Sequence, residues 1–117
     1  MAGLEADVTV TICEEGKIIE IEGNFKKLFG WEIKEVLGKS VEILMPYKYR
    51  ERHRAGFERW RRTGEKRAIG TWMAIEAKHK DGHVFPISMI LAERIIGKHR
   101  RVTAYFITNR HMISNST

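Results

Sequence analysis

YRERHRAGFERWRRTGE, residues 49–65, decides how the rest of the chain is read. His53, Phe57 and Trp60 are spaced i, i+4, i+7, so all three fall on one face of an α-helix. Arg61 and Arg62 lie in the last turn, where cations oppose the helix dipole. The spacing predicts a helix from Tyr47 to Arg62, ended by Thr63-Gly64-Glu65. It is the one long helical stretch among 117 residues.

Working upstream, Val8, Val10 and Ile12 alternate with Thr9, Thr11 and Cys13, the period of a strand rich in β-branched residues. Glu14 to Lys17 is a turn, and Lys17 to Ile21 resumes as a second strand, making a hairpin. Three brief helical turns follow. Asn24 is placed to cap one that carries Phe25, Leu28 and Phe29 and stops at Gly30. Trp31 to Leu37 forms the second and stops at Gly38. Ser40 caps the third, Val41 to Leu44, which ends before Pro46.

Downstream, Ala68 to His79 reads as a long strand and Lys80-Asp81-Gly82 as a hairpin turn. Val84 to Arg94 is the next strand, with Ile87, Met89 and Leu91 on one face and Ser88, Ile90 and Ala92 on the other. Pro86 near its start suggests an edge or a bulge. Gly97 to Arg100 turns the chain into a fifth strand, Val102 to Thr108. The order β-β-α-α-α-α-β-β-β predicts an α+β fold, a five-stranded antiparallel sheet with short helices and one long helix packed on one face.

Composition sets the outer limits. The length fits a single domain, with residues 1–5 as an N-terminal extension, 6–109 as the domain and 110–117 as a flexible tail. Apolar residues make up 43% and charged residues 31%, ordinary for a globular protein. A single cysteine, Cys13, rules out an internal disulfide and a cysteine zinc cage. No apolar run approaches the ~18 residues of a membrane span, and no secretory signal is visible, so a cytoplasmic location is expected. Residues 47–67 hold nine Lys/Arg against three Asp/Glu, which accounts for the whole net charge of +6. Such a patch attracts acidic partners, yet a solvated helix face explains it equally.

Four segments, LFGW at 28–31, EVLGKSVEILMP at 35–46, YRERHRAGFERWRRTGEKRAIG at 49–70 and KDGHVFPISM at 80–89, occur in an order and spacing that resemble a PAS domain, or sensory box. The resemblance runs from about residue 6 to residue 108. It implies a sensory or interaction module of a signal-transduction protein, not an enzyme. Such a module binds a small ligand between helix and sheet, or pairs with another signalling domain or a second copy, and relays a conformational shift.

Within that family, the region of the long helix resembles the FixL-like haem subgroup. The resemblance places an axial iron ligand at His53 and propionate-holding groups at Arg59 and Arg67. It lines the distal side with Ala68, Met73, Met89 and Leu91. A b-type haem gas or redox sensor is therefore one expectation, with Met73 standing where the oxygen sensor has a hydrogen-bonding arginine. Methionine donates no hydrogen bond to a bound gas. A cofactor-free dimerisation module, with His53 in the core, is the other.

The remaining motifs carry less. Cys13 lies outside the Asn-Cys-Arg pattern of the flavin-reactive relatives, so flavin has no fingerprint here. His79 and His83 flank a turn, and two imidazoles alone make a weak metal site. Nucleic-acid binding is disfavoured, because Phe57 and Trp60 share the apolar face and are used by the core before they could stack on bases. No Gly-rich phosphate loop or catalytic arrangement is present.

Overall fold

The computed structural model describes residues 6–65 and 68–108. The expected extension, tail and Arg67 lie outside them. The elements run β1 (Val8–Ile12), β2 (Ile18–Gly23), α1 (Phe25–Phe29), α2 (Ile33–Val36), a 3-10 turn (Val41–Leu44), α3 (Tyr47–Thr63), β3 (Met73–Lys78), β4 (Val84–Ile96) and β5 (His99–Thr108). The five strands form one antiparallel sheet in the order β2-β1-β5-β4-β3. No described helix is long and apolar enough to cross a membrane.

Strand alternation divides the sheet into two faces. Val8, Val10, Ile87, Val102 and Phe106 are buried on the inner face, joined there by Ile75, Met89, Leu91 and Ala104. A register shift at Thr11/Ile12 pairs Ile12 with Ile18. The bulge turns Ile18 fully into the core and leaves Ile19 exposed. On the outer face the hydroxyls of Thr11 and Thr103 pair at 2.8 Å, which satisfies two buried polar groups at once.

Phe29 organises the core beneath α1. It stacks with Phe25 at 5.0 Å and meets Phe85 and Phe106 edge-on at 5.6 and 5.3 Å. The other half of the inner face is covered by α3 through Trp60. Its indole N–H donates to Glu93 Oε1 at 2.6 Å, and the Arg100 guanidinium lies 4.3 Å from its ring. Tyr49 and Lys48 anchor the start of α3 to Glu76 of β3 at 3.1 and 2.7 Å.

Three local expectations are corrected. Asn24 holds the N-cap position of α1, but its side chain makes no capping bond; the cap of α2 is instead a reciprocal Glu32–Glu35 box. The strand expected from Ala68 begins at Met73, because Gly70 adopts φ +87°, outside the extended region. Just before it, Ile69 bridges Leu91 in the parallel sense, opposite to β3. The last turn shortens to Gly97-Lys98, with β4 reaching Ile96 and β5 starting at His99. Pro86 pairs with Glu76 of the edge strand β3, and the described pairing of β4 with β5 runs from Ile87 onward.

Phe29→Ala is expected to cost about 3–5 kcal/mol through the cavity it leaves. Trp60→Phe, which keeps most of the volume and loses the bond to a carboxylate, is expected to cost about 1.5–3 kcal/mol. Urea unfolding of the two variants measures both; the smaller loss in Phe29→Ala would contradict the assignment of the core.

Candidate functional site

The face predicted for His53 is the face observed. Its ring stacks on Phe57 at 5.8 Å and 19°, and Phe57 in turn packs 5.4 Å from Trp60. The Phe57 ring would meet a Cβ built on Gly16 at 3.6 Å, so it rests on the β1–β2 turn. His53 thereby faces a groove of about 270 Å³. One wall is the turn residues Glu14 to Gly16, another is Ser40 and Glu42, and the floor is α3 itself.

Glu42 is the electrostatic centre of this groove. Arg54 grips it in a fork, with Nε at 2.9 Å from Oε2 and Nη2 at 2.8 Å from Oε1. That grip holds the Glu42 carboxyl below its ordinary range. His53 Nδ1 lies 3.6 Å from Glu42 Oε2, close enough for Coulombic attraction and too long for a hydrogen bond. Nδ1 is buried and has no hydrogen-bond partner. Desolvation pushes the imidazole pKa down, against the upward pull of Glu42, so the neutral ring is favoured.

The other expected site residues are distributed as follows. Arg59 sits on α3 and pairs loosely with Glu65 at 3.8 Å. Met73 and Met89 face each other as direct cross-strand partners on the inner face, where the alternation had placed Met89. Leu91 is on the same face, and Ala68 is exposed beside it in the segment before β3. None of Ala68, Met73, Met89 and Leu91 lines the His53 groove. Glu42 and the β1–β2 turn were not anticipated. Glu42 is eleven residues from His53 and on another element, beyond the reach of any helical spacing rule.

A haem macrocycle does not fit this groove as it stands. Its volume is below the roughly 300–1,000 Å³ of pockets that enclose drug-sized ligands, and Glu14, Glu15, Glu42 and Glu58 crowd its rim.

The titration of His53 has a definite sign. With its folded pKa below the ordinary 6.5, stability falls as pH drops through 6.5 toward the folded value. Glu42, whose pKa is depressed, contributes stability above 4.5 that is lost on further acidification. His53→Phe is expected to abolish the first loss and leave the second, as read by unfolding across pH. In Glu42→Gln the NMR midpoint of His53 is expected to drop further; a rise would show that the carboxylate does not support the charged ring.

A family model described as the PAS fold matches residues 5–109. The sensor protein FixL of Bradyrhizobium diazoefficiens is 33% identical over 87 residues, 74% of this chain and 17% of that protein. A probable serine/threonine-protein kinase of Dictyostelium discoideum is 36% identical over 84 residues, 72% of this chain and 6% of that protein. The chain thus spans 6% to 17% of the length of the curated relatives it matches. The crystal structure of the PAS domain of an HTR-like protein from Haloarcula marismortui superposes with a TM-score of 0.68 at 18% identity, covering 86% of this chain and 78% of that one. A full-length family match, a relative above 30% identity and the shared sheet-and-helix architecture agree: the chain belongs to the PAS family of sensory domains.

Proposed function

We propose that the chain is a non-catalytic sensory module of a larger signalling protein, which takes a small ligand or partner at the groove where α3 meets the β1–β2 turn and the 3-10 turn. The observation that carries the reading is His53: a half-buried imidazole, biased toward its neutral form, with a buried Nδ1 that has no hydrogen-bond partner. A ligand that supplies an acceptor to Nδ1, or a group that binds the ring from the groove, gains free energy only in the state that admits it. That differential affinity shifts the population of α3 arrangements, and the sheet passes the shift on. Arg54 and Arg61 beside the groove are already paired with Glu42 and Glu58, and Glu14 and Glu15 add further negative charge, so the lining favours a neutral or cationic ligand that can hydrogen-bond.

A b-type haem is the second reading, favoured by the same neutral imidazole and by the 33% identity to FixL. When bound, haem would supply a gas- or redox-responsive iron. His53 would be its axial ligand, with Glu42 as the carboxylate that orients the ring. Of the groups the resemblance assigns, Arg59 would hold a propionate, while Met73, Met89 and Leu91 lie outside the present groove. Uptake requires α3 to move away from the β1–β2 turn, because the present groove is too small.

The absorption spectrum of protein incubated with haem, beside His53→Ala, separates the two readings. A Soret band in the parent that is lost or shifted in the variant supports haem. A colourless parent that takes up no haem leaves the small-ligand reading. In that case, ligand-dependent changes in the His53 NMR signals are expected on titration with small neutral or cationic hydrogen-bonding organic molecules. The absence of any His53 response would overturn the groove as the site.

A further inference from the structure

At the end of the sheet remote from His53, the β3–β4 turn gathers a different set of groups. His79 follows β3, Asp81 is in the turn, and His83 precedes β4. The backbone closes the turn twice: the His79 N–H donates to the His83 carbonyl at 2.9 Å, and the Gly82 N–H to the His79 carbonyl at 2.9 Å. The two imidazoles then lie face to face, with centroids 4.6 Å apart and planes inclined by 22°. The Asp81 carboxylate reaches both rings. Its Oδ1 is 2.5 Å from His83 Nδ1 and 3.3 Å from His79 Nδ1.

Each residue offers one ligand atom, and the three atoms all lie within 4.8 Å of one another. Tetrahedral zinc with bonds of about 2.0–2.2 Å needs ligand atoms about 3.3–3.6 Å apart, so rotamer adjustment of roughly an ångström closes the set. The frame that holds these side chains is already built. The Asp81 N–H donates to His79 Nδ1 at 3.1 Å, and the His83 N–H donates to Asp81 Oδ1 at 2.9 Å. His79 is seated against Gly30, whose left-handed backbone has no side chain; a Cβ there would overlap the imidazole. The Lys80 N–H donates to the Phe29 carbonyl at 2.8 Å, and its ammonium reaches Glu35 at 3.0 Å. The turn is therefore fastened to both short helices.

We propose that His79, Asp81 and His83 form a site for a divalent transition-metal ion of the zinc type, with the remaining position open to water. Two imidazoles and one carboxylate match the donor preference of zinc, nickel and copper. One carboxylate without further oxygen donors is too few for calcium, which takes six to eight. Uptake exchanges the contact between Asp81 and His83 for bonds of both groups to the ion. It also locks the hairpin turn in the form that rests on α1. The site is independent of the His53 groove and stands whether or not that groove binds a ligand.

Calorimetric titration of the full chain with zinc chloride tests the site, with magnesium chloride as the control ion. One equivalent of zinc is expected to bind, magnesium is not, and the thermal midpoint is expected to rise with zinc. Asp81→Asn and His83→Gln are expected to weaken binding by about tenfold or more, whereas His99→Ala leaves it unchanged. The Asp81 and His83 side chains are 61% and 56% exposed, so both variants are expected to keep the parent circular dichroism. Absence of zinc binding by the parent overturns the proposal, and so does binding that persists at parental strength in both turn variants.

Discussion

The position of α3 depends on how Trp60 is held. The indole is buried, its N–H is taken by Glu93, and the Arg100 guanidinium covers its face. The same guanidinium donates to the carbonyls of Trp60 and Arg61 at 3.2 and 2.5 Å, adding to the Gly64 N–H bond that the Trp60 carbonyl already accepts in the last turn. One arginine from β5 thus packs on the ring and closes the helix. The consequence runs backward along the helix. Trp60 orients Phe57, Phe57 orients His53, and the imidazole enters the groove at the angle this ladder dictates.

Much of this was legible because the signals were local. The alternation of Val8, Val10 and Ile12, the stop at Gly30, the cap at Ser40 and the spacing of His53, Phe57 and Trp60 each need only a few neighbouring residues. The alternation in β4 likewise put Met89 on the inner face, and Met73 proved to be its cross-strand partner. What failed to be legible was long-range. Ile69 to Trp72 has strand-like composition, but tertiary contact made Ile69 a parallel bridge and Gly70 a bend. Glu42 became the partner of Arg54 and neighbour of His53 only because the 3-10 turn folds against α3. The separation of His53 from Met73 and Met89 follows from the helix azimuth, which Trp60 sets and no periodicity reveals.

The inner face of the sheet is served by two aromatic centres. Phe29 gathers Phe25, Phe85 and Phe106 under α1, while Trp60 and Phe57 serve α3. The first centre carries the histidine-rich turn and the second the His53 groove. Each is tied to its own helix and to different ends of the same strands. β4 and β5, whose described pairing extends from Ile87↔Thr108 to Ile96↔His99, span the distance between them.

The isolated bridge between Ile69 and Leu91 bears on how the chain enters an edge of the sheet. β3 is an edge strand, and just before it the Gly70 N–H donates to the Leu91 carbonyl at 2.9 Å while Ile69 packs against the core. β4 thus carries a parallel contact and an antiparallel ladder on the same side, and Gly70, at φ +87°, supplies the backbone reversal that lets one stretch make both.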